Sequence, residues 1–170
     1  MKLNGESETI ERVNTLTFDI FGTVLDLSGS LVPHLEKLLQ QCNAPESLTG
    51  ADVWNHWRLR QRLEQYQDNI IMLGHSGYLE VKKRALLYTL RLLKIEFTYE
   101  KVDEFMKAYH ELIPFQDAVA GLKRLGTKYR LVILSNGEEW YLKQLVENNI
   151  GIDFNDILCA EMVSQFKPHP

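Results

Sequence analysis

The sequence predicts an α/β fold, a doubly wound parallel sheet with a helical insertion after its first strand. Residues 13–20 form a β-branched and aromatic run that ends in Asp19 and a Gly-Thr turn, the pattern of a strand leaving a sheet. Between that run and Pro114 the apolar residues recur at helical spacing, broken near Gly74 and Gly77. After Pro114, helix and strand alternate, which is the signature of βαβ crossovers in a parallel sheet.

Taken in order, the first strand covers 13–20, followed by helices at 31–41, 51–73, 78–94 and 99–112. A helix at 117–125 then leads to a strand at 129–134, which stops abruptly at Ser-Asn-Gly. A helix at 138–148 and a weaker strand at 157–160 close the series. The implied organisation is a core made of residues 1–27 and 113–170, interrupted by a helical insertion at 28–112. In such sheets ligands bind beyond the carboxyl ends of the strands, where Asp19, Ser135 and Asn136 all stand.

At 170 residues, with 45% hydrophobic and 25% charged residues, the chain can bury a real core. A net charge of -4 argues against nucleic acid as a partner, since nothing would neutralise phosphates. The opening MKLNGESETIERVN is polar and acidic, without the apolar centre of a secretion signal, and no later window is long enough for a membrane span. The expected location is the cytoplasm. Cys42 and Cys159 are far apart and outside any C-x-x-C pattern, so both read as reduced structural thiols. None of the five histidines has metal-binding spacing, and no metal or other cofactor is expected.

Asp19 has the setting of a nucleophile: the Gly-Thr turn exposes it, and Thr23 offers a hydroxyl and an amide to developing charge. A strand-end Asp that merely bonds turn amides would look the same. Ser135 and Asn136 open a helix, where backbone amides and side chains can hold an anion; they can equally serve as a strand exit and helix cap. Lys167 precedes Pro168, which favours an extended conformation able to aim a cation at a fixed point, although terminal lysines are commonly solvated.

FDIFGTVLD, then LVILSNG more than a hundred residues later, then FKP, resembles the haloacid dehalogenase superfamily in order and context. The resemblance implies a Rossmann-like core with a helical cap, Asp19 as nucleophile, and Ser135 and Lys167 in the two supporting catalytic roles. Phosphatases of that superfamily usually carry a second Asp where this chain has Phe21, to protonate an alkoxide leaving group. A departing halide needs no acid. Phe21 therefore resembles the 2-haloacid dehalogenase branch, in which an aromatic residue occupies this position. The helix NHWRLRQRLEQYQ is similar to the lid helix of that branch, whose Trp-Arg pair is here Trp57 and Arg58, with the guanidinium over the leaving halide. Asn136 would help to hold the halide, Thr23 would support Asp19, and Tyr78 would line the substrate pocket. Pro114 and Phe115 resemble the return hinge from cap to core, while Asp26 is expected to organise the first turn without chemistry of its own.

The implied reaction is displacement at C2 of a short 2-haloalkanoic acid, through an aspartyl ester that water hydrolyses to a 2-hydroxy acid. In the family a further helix, strand and fourth motif follow the Lys-Pro pair, so the expectation is a C-terminally truncated core. The first strand would then be an exposed edge, and the ester would form without being hydrolysed. The other readings are a magnesium-dependent phosphatase and a non-catalytic remnant that binds a small carboxylate or a partner. Apolar faces left over on the long helices argue for a homodimer.

Overall fold

The computed structural model describes residues 13–169; the polar segment 1–12 and Pro170 lie outside the described residues. Strand β1 (Thr15–Phe18) pairs in parallel with β4 (Arg130–Ser135), and β4 pairs in parallel with β5 (Asp156–Cys159), giving the order β1-β4-β5. Phe18 stands opposite Ile133 and Ser135 opposite Cys159, so the carboxyl ends of β1 and β4 meet at one rim. The buried run Leu131, Val132 and Ile133 gives β4 the continuous apolar character of a central parallel strand. Helix α5 (Ala118–Gly126) packs on β4, and α6 (Glu139–Leu145) packs on β5. Among the described residues β1 is an edge strand.

The insertion comprises α1 (Leu27–Gln41), α2 (Gly50–Ile70), α3 (Tyr78–Leu92) and α4 (Tyr99–Met106). Local chemistry sets their starts. Asp26 caps α1 by accepting from Gly29 N at 2.8 Å, which accounts for this second acid of the FDIFGTVLD run. Thr49 and Asp52 form a capping box at α2, and Thr98 caps α4. The helix expected over 99–112 ends as a regular α-helix at Met106 and tightens to a 3₁₀ turn at Lys107–His110. The one expected over 138–148 widens into a π turn at Val146–Ile150, ended by left-handed Gly151.

Two short strands escape the sequence reading. Strand β2 (Leu25–Asp26) and β3 (Ile113–Pro114) pair antiparallel where the chain enters and leaves the insertion. Ile113 N donates to Ser30 Oγ at 2.9 Å, and Phe115 N to Val24 O at 2.9 Å. Two residues carry no periodicity, so only the tertiary pairing reveals this neck.

Trp57 locks the insertion together. It is fully buried, donates from Nε1 to Lys82 O at 2.9 Å, and meets Trp54, Phe105 and Tyr109 edge-on at 5.7, 5.4 and 6.0 Å. Farther along α2, Arg84 of α3 binds Asp68 at 2.6 Å and Glu64 at 3.4 Å. Replacing Trp57 by Ala leaves a large cavity and an unpaired carbonyl and is expected to cost about 3–5 kcal/mol in urea unfolding. A loss below about 1 kcal/mol would show that α2 and α3 do not depend on it.

Candidate functional site

The site is built where the ends of β1 and β4 face the insertion. The turn after Phe21 needs Gly22 at φ +85, a conformation that side-chain-bearing residues seldom adopt. It returns the chain so that Gly22, Val24 and Leu25 are all held by backbone hydrogen bonds, which leaves Asp19 directed out of the sheet. Asp19 Oδ1 accepts from Lys167 Nζ at 3.0 Å, and Oδ2 from Thr23 Oγ1 at the outer limit of 3.5 Å. Lys167 Nζ also donates to Leu134 O, at 2.5 Å. A cation 148 residues away in sequence is thus shared between the carboxylate and the end of β4.

The loop carrying that cation is held from β4 as well. Asn136 Oδ1 accepts from Lys167 N at 2.7 Å, and its Nδ2 lies 3.5 Å from Lys167 O. The same strand end reaches the insertion: Asn136 O pairs with His75 Nε2 at 2.8 Å, and Glu138 Oε1 accepts from Tyr78 N at 2.7 Å. A Cβ at Gly137 would lie 3.0 Å from the Phe21 ring, so glycine is what allows this turn to approach so closely. Phe21 stacks on Tyr78 with ring centroids 4.0 Å apart and planes 16° from parallel, with Tyr141 behind at 5.7 Å.

Part of this cluster opens onto a cavity of about 390 Å³, within the range of small-ligand sites, while Lys167 and Thr23 stand behind Asp19 outside its lining. Asp19, Phe21, Arg58, Tyr78 and Asn136, all singled out from the sequence, line it together. Trp57 and Arg58 divide their work: the indole is buried in the insertion, while the arginine faces the cavity without an ion pair among the described residues. Ser135 differs from expectation. Its side chain is buried with Oγ lacking a hydrogen bond, and it lines a separate apolar hollow with Leu158 and Phe166 instead of the cavity. Asn136 also differs, because its side-chain amide is engaged with the Lys167 backbone. Among the described residues no group of three His, Cys, Asp or Glu side chains converges to hold a metal ion.

A model of haloacid dehalogenase-like hydrolases matches residues 13–170, nearly the whole chain. The chain belongs to that family. It is 26% identical over 161 residues to the (S)-2-haloacid dehalogenase H-109 of Pseudomonas putida, covering 94% of this chain and 68% of that protein. It is 29% identical over 159 residues to the (S)-2-haloacid dehalogenase of Xanthobacter autotrophicus, covering 93% of this chain and 59% of that one. The structure of the L-2-haloacid dehalogenase from Xanthobacter autotrophicus superposes with a TM-score of 0.79 at 26% identity. A second structure of it, with chloropropionic acid covalently bound, gives 0.73 at 25% identity. The chain spans 61% of the length of each of these two structures. The α/β class with a parallel sheet is therefore that anticipated from the sequence.

Two cavity cations were not anticipated. Arg62 follows Arg58 by one helical turn on α2, and Lys82 follows Tyr78 by one turn on α3, so the i, i+4 spacing held the signal. Lys82 is only 5% exposed, with Nζ 4.3 Å from the centroid of the Tyr78 ring. Burial pulls its ammonium down to about 7; the Asp19 carboxylate opposes that fall and Arg62 adds to it. From about pH 7 to the ordinary 10.5 the unfolded chain holds this proton more tightly than the folded one, so Lys82 makes stability rise with pH across that window. Lys82→Met should therefore raise the melting temperature near pH 6, with a gain that shrinks toward pH 10; a gain that does not change with pH would contradict the buried charge.

Proposed function

We propose that this chain carries the nucleophilic half-site of a hydrolytic dehalogenase acting on short 2-haloalkanoic acids, with residues 28–112 as the cap over a core formed by 1–27 and 113–170. The observation that carries the reading is Asp19 at the mouth of a cavity, held by Lys167 and faced by Phe21 where a metal-dependent phosphatase would need a second acid. The relatives named as 2-haloacid dehalogenases support it.

An Asp19 oxygen attacks C2 from one side, the carbon–halogen bond breaks, and its electron pair leaves with the halide toward Arg58. Water then cleaves the ester, releasing a 2-hydroxy acid and restoring Asp19. Lys167 offsets the repulsion between Asp19 and an anionic substrate, whose carboxylate lies toward Asn136 and Lys167. Thr23 steadies the second carboxylate oxygen. Phe21 and Tyr78 form an apolar wall for the substrate carbons and strengthen nearby electrostatics by excluding water.

Halide release from 2-chloropropionate in the presence of a metal chelator, with mass analysis of Asp19, is the direct test. Halide release, with Asp19 esterified or turning over, is expected; a folded chain with Asp19 unmodified and no halide would refute the reading. Magnesium-stimulated phosphate release would instead favour a phosphatase. Asp19→Asn should abolish the reaction, and Arg58→Ala should slow it about 10²–10³-fold through loss of charge stabilisation at the leaving group.

The chain also pairs with a second copy through α2. Leu59, Leu63, Tyr66 and Ile70 are all exposed and follow alternating four- and three-residue steps, the spacing of a helix seam. Light scattering should give a dimer for the parent and a monomer for Leu63→Lys; a parent that stays monomeric at high concentration would overturn this. Among the described residues no helix is long and apolar enough to cross a membrane, and both cysteines are free and buried. These features accord with a cytoplasmic setting.

A further inference from the structure

The cavity wall contributed by the insertion holds more positive charge than a monocarboxylate and a halide can answer. Arg58, Arg62 and Lys82 all face the cavity, and none has an ion pair or hydrogen bond from its side chain to a carboxylate among the described residues. The neighbouring cations behave differently: Arg60 binds Glu64 and Arg84 binds Asp68, away from the cavity. Arg58 and Arg62, both exposed, thus have no carboxylate partner on the cavity wall among the described residues, and Lys82 shares the charge of Asp19 with Lys167.

The two cavity carboxylates do not resolve the imbalance. Asp19 is engaged by Lys167, and Asp26 caps α1 through its bond to Gly29 N. Lys82 makes the case strongest, because it is almost wholly buried against the Tyr78 ring and the one carboxylate acting on its ammonium, Asp19, is already engaged by Lys167. A buried cation whose nearest carboxylate is shared with a second cation is costly, and its retention in a cavity is explained when a ligand supplies further negative charge. Gln61 and Gln65, both buried, add polar groups to the same wall.

We infer that the substrate is a dianion, a 2-halodicarboxylic acid of four or five carbons, with its distal carboxylate held by Lys82 and Arg62. This rests on the proposed dehalogenation and names its substrate class. One carboxylate lies toward Asn136 and Lys167, C2 faces Asp19, the halide faces Arg58, and the chain runs along the Phe21–Tyr78 wall to the second carboxylate. Lys82 and Arg62 act as specificity residues, selecting the dianion without joining the bond-making step. A ligand with one carboxylate leaves both cations unanswered.

The test is calorimetric titration of the full chain with unreactive succinate and propionate near pH 6.5, where Lys82 is largely protonated. Succinate should bind at least about tenfold more tightly than propionate, the gain expected of a desolvated charge pair. In Lys82→Met the preference for succinate over propionate should fall below about threefold. Equal affinities in the parent chain, or an unchanged preference in Lys82→Met, would overturn the inference. Because Lys82→Met removes a buried charge, the variant is expected to fold, and its thermal transition verifies this independently. Halide release from 2-chloropropionate with no succinate preference would sink the dianion inference alone; succinate preference without halide release from 2-chloropropionate or 2-chlorosuccinate would sink the proposed reaction and leave the dianion site standing.

Discussion

The sharing of the Lys167 ammonium between the Asp19 carboxylate and the Leu134 carbonyl is the constraint around which the site is arranged. It joins the ends of β1 and β4 to a loop that follows β5. It ties the two strand ends together beyond their last backbone pair, Phe18 with Ile133. The cation sits half-exposed beside a carboxylate of similar exposure, so its worth lies in placement and charge balance more than in folding energy. Asn136 makes that placement reproducible by holding the Lys167 backbone, a use of the amide that leaves the ammonium free to reach Asp19.

The second organising contact is aromatic. Phe21 belongs to the turn after Asp19 and Tyr78 to the first turn of α3, and their stacking joins the core to the insertion at the cavity that Asp19 lines. Offset stacking of this kind contributes about 0.5–1.5 kcal/mol beyond the burial of the rings, and it occludes one side of the cavity. The hydrogen bonds from the β4 turn to His75 and Tyr78 hold the same junction. One residue, Phe21, therefore both occupies the place of an acid and shapes an apolar wall, which is why the chemistry and the packing point the same way.

Legibility differed among the site residues for identifiable reasons. Asp19, Phe21, Asn136 and Lys167 lie in short runs whose residue types and order are unusual, and the folded chain brings them to one cavity or to the carboxylate in it. Arg58 was legible through its Trp-Arg context. Arg62 and Lys82 were hidden because a cation on a long amphipathic helix is ordinarily solvated, and only the packing of α2 against α3 buries Lys82 and sets it beside exposed Arg62 on one cavity wall. Ser135 was read as reaching the site, but the alternation of a strand sends its side chain to the face away from Leu134, into buried surroundings.

The sequence by itself determined the α/β class and the order of the main elements, because these follow from periodicity and local motifs. Tertiary structure alone decided the β2–β3 neck, the dual engagement of Lys167 and the gathering of Arg58, Arg62 and Lys82 around one cavity. Local preferences extend over a few residues, whereas these features depend on distances between segments far apart in the chain. Such distances are set only when the helices of the insertion pack against one another and against the rim of the sheet.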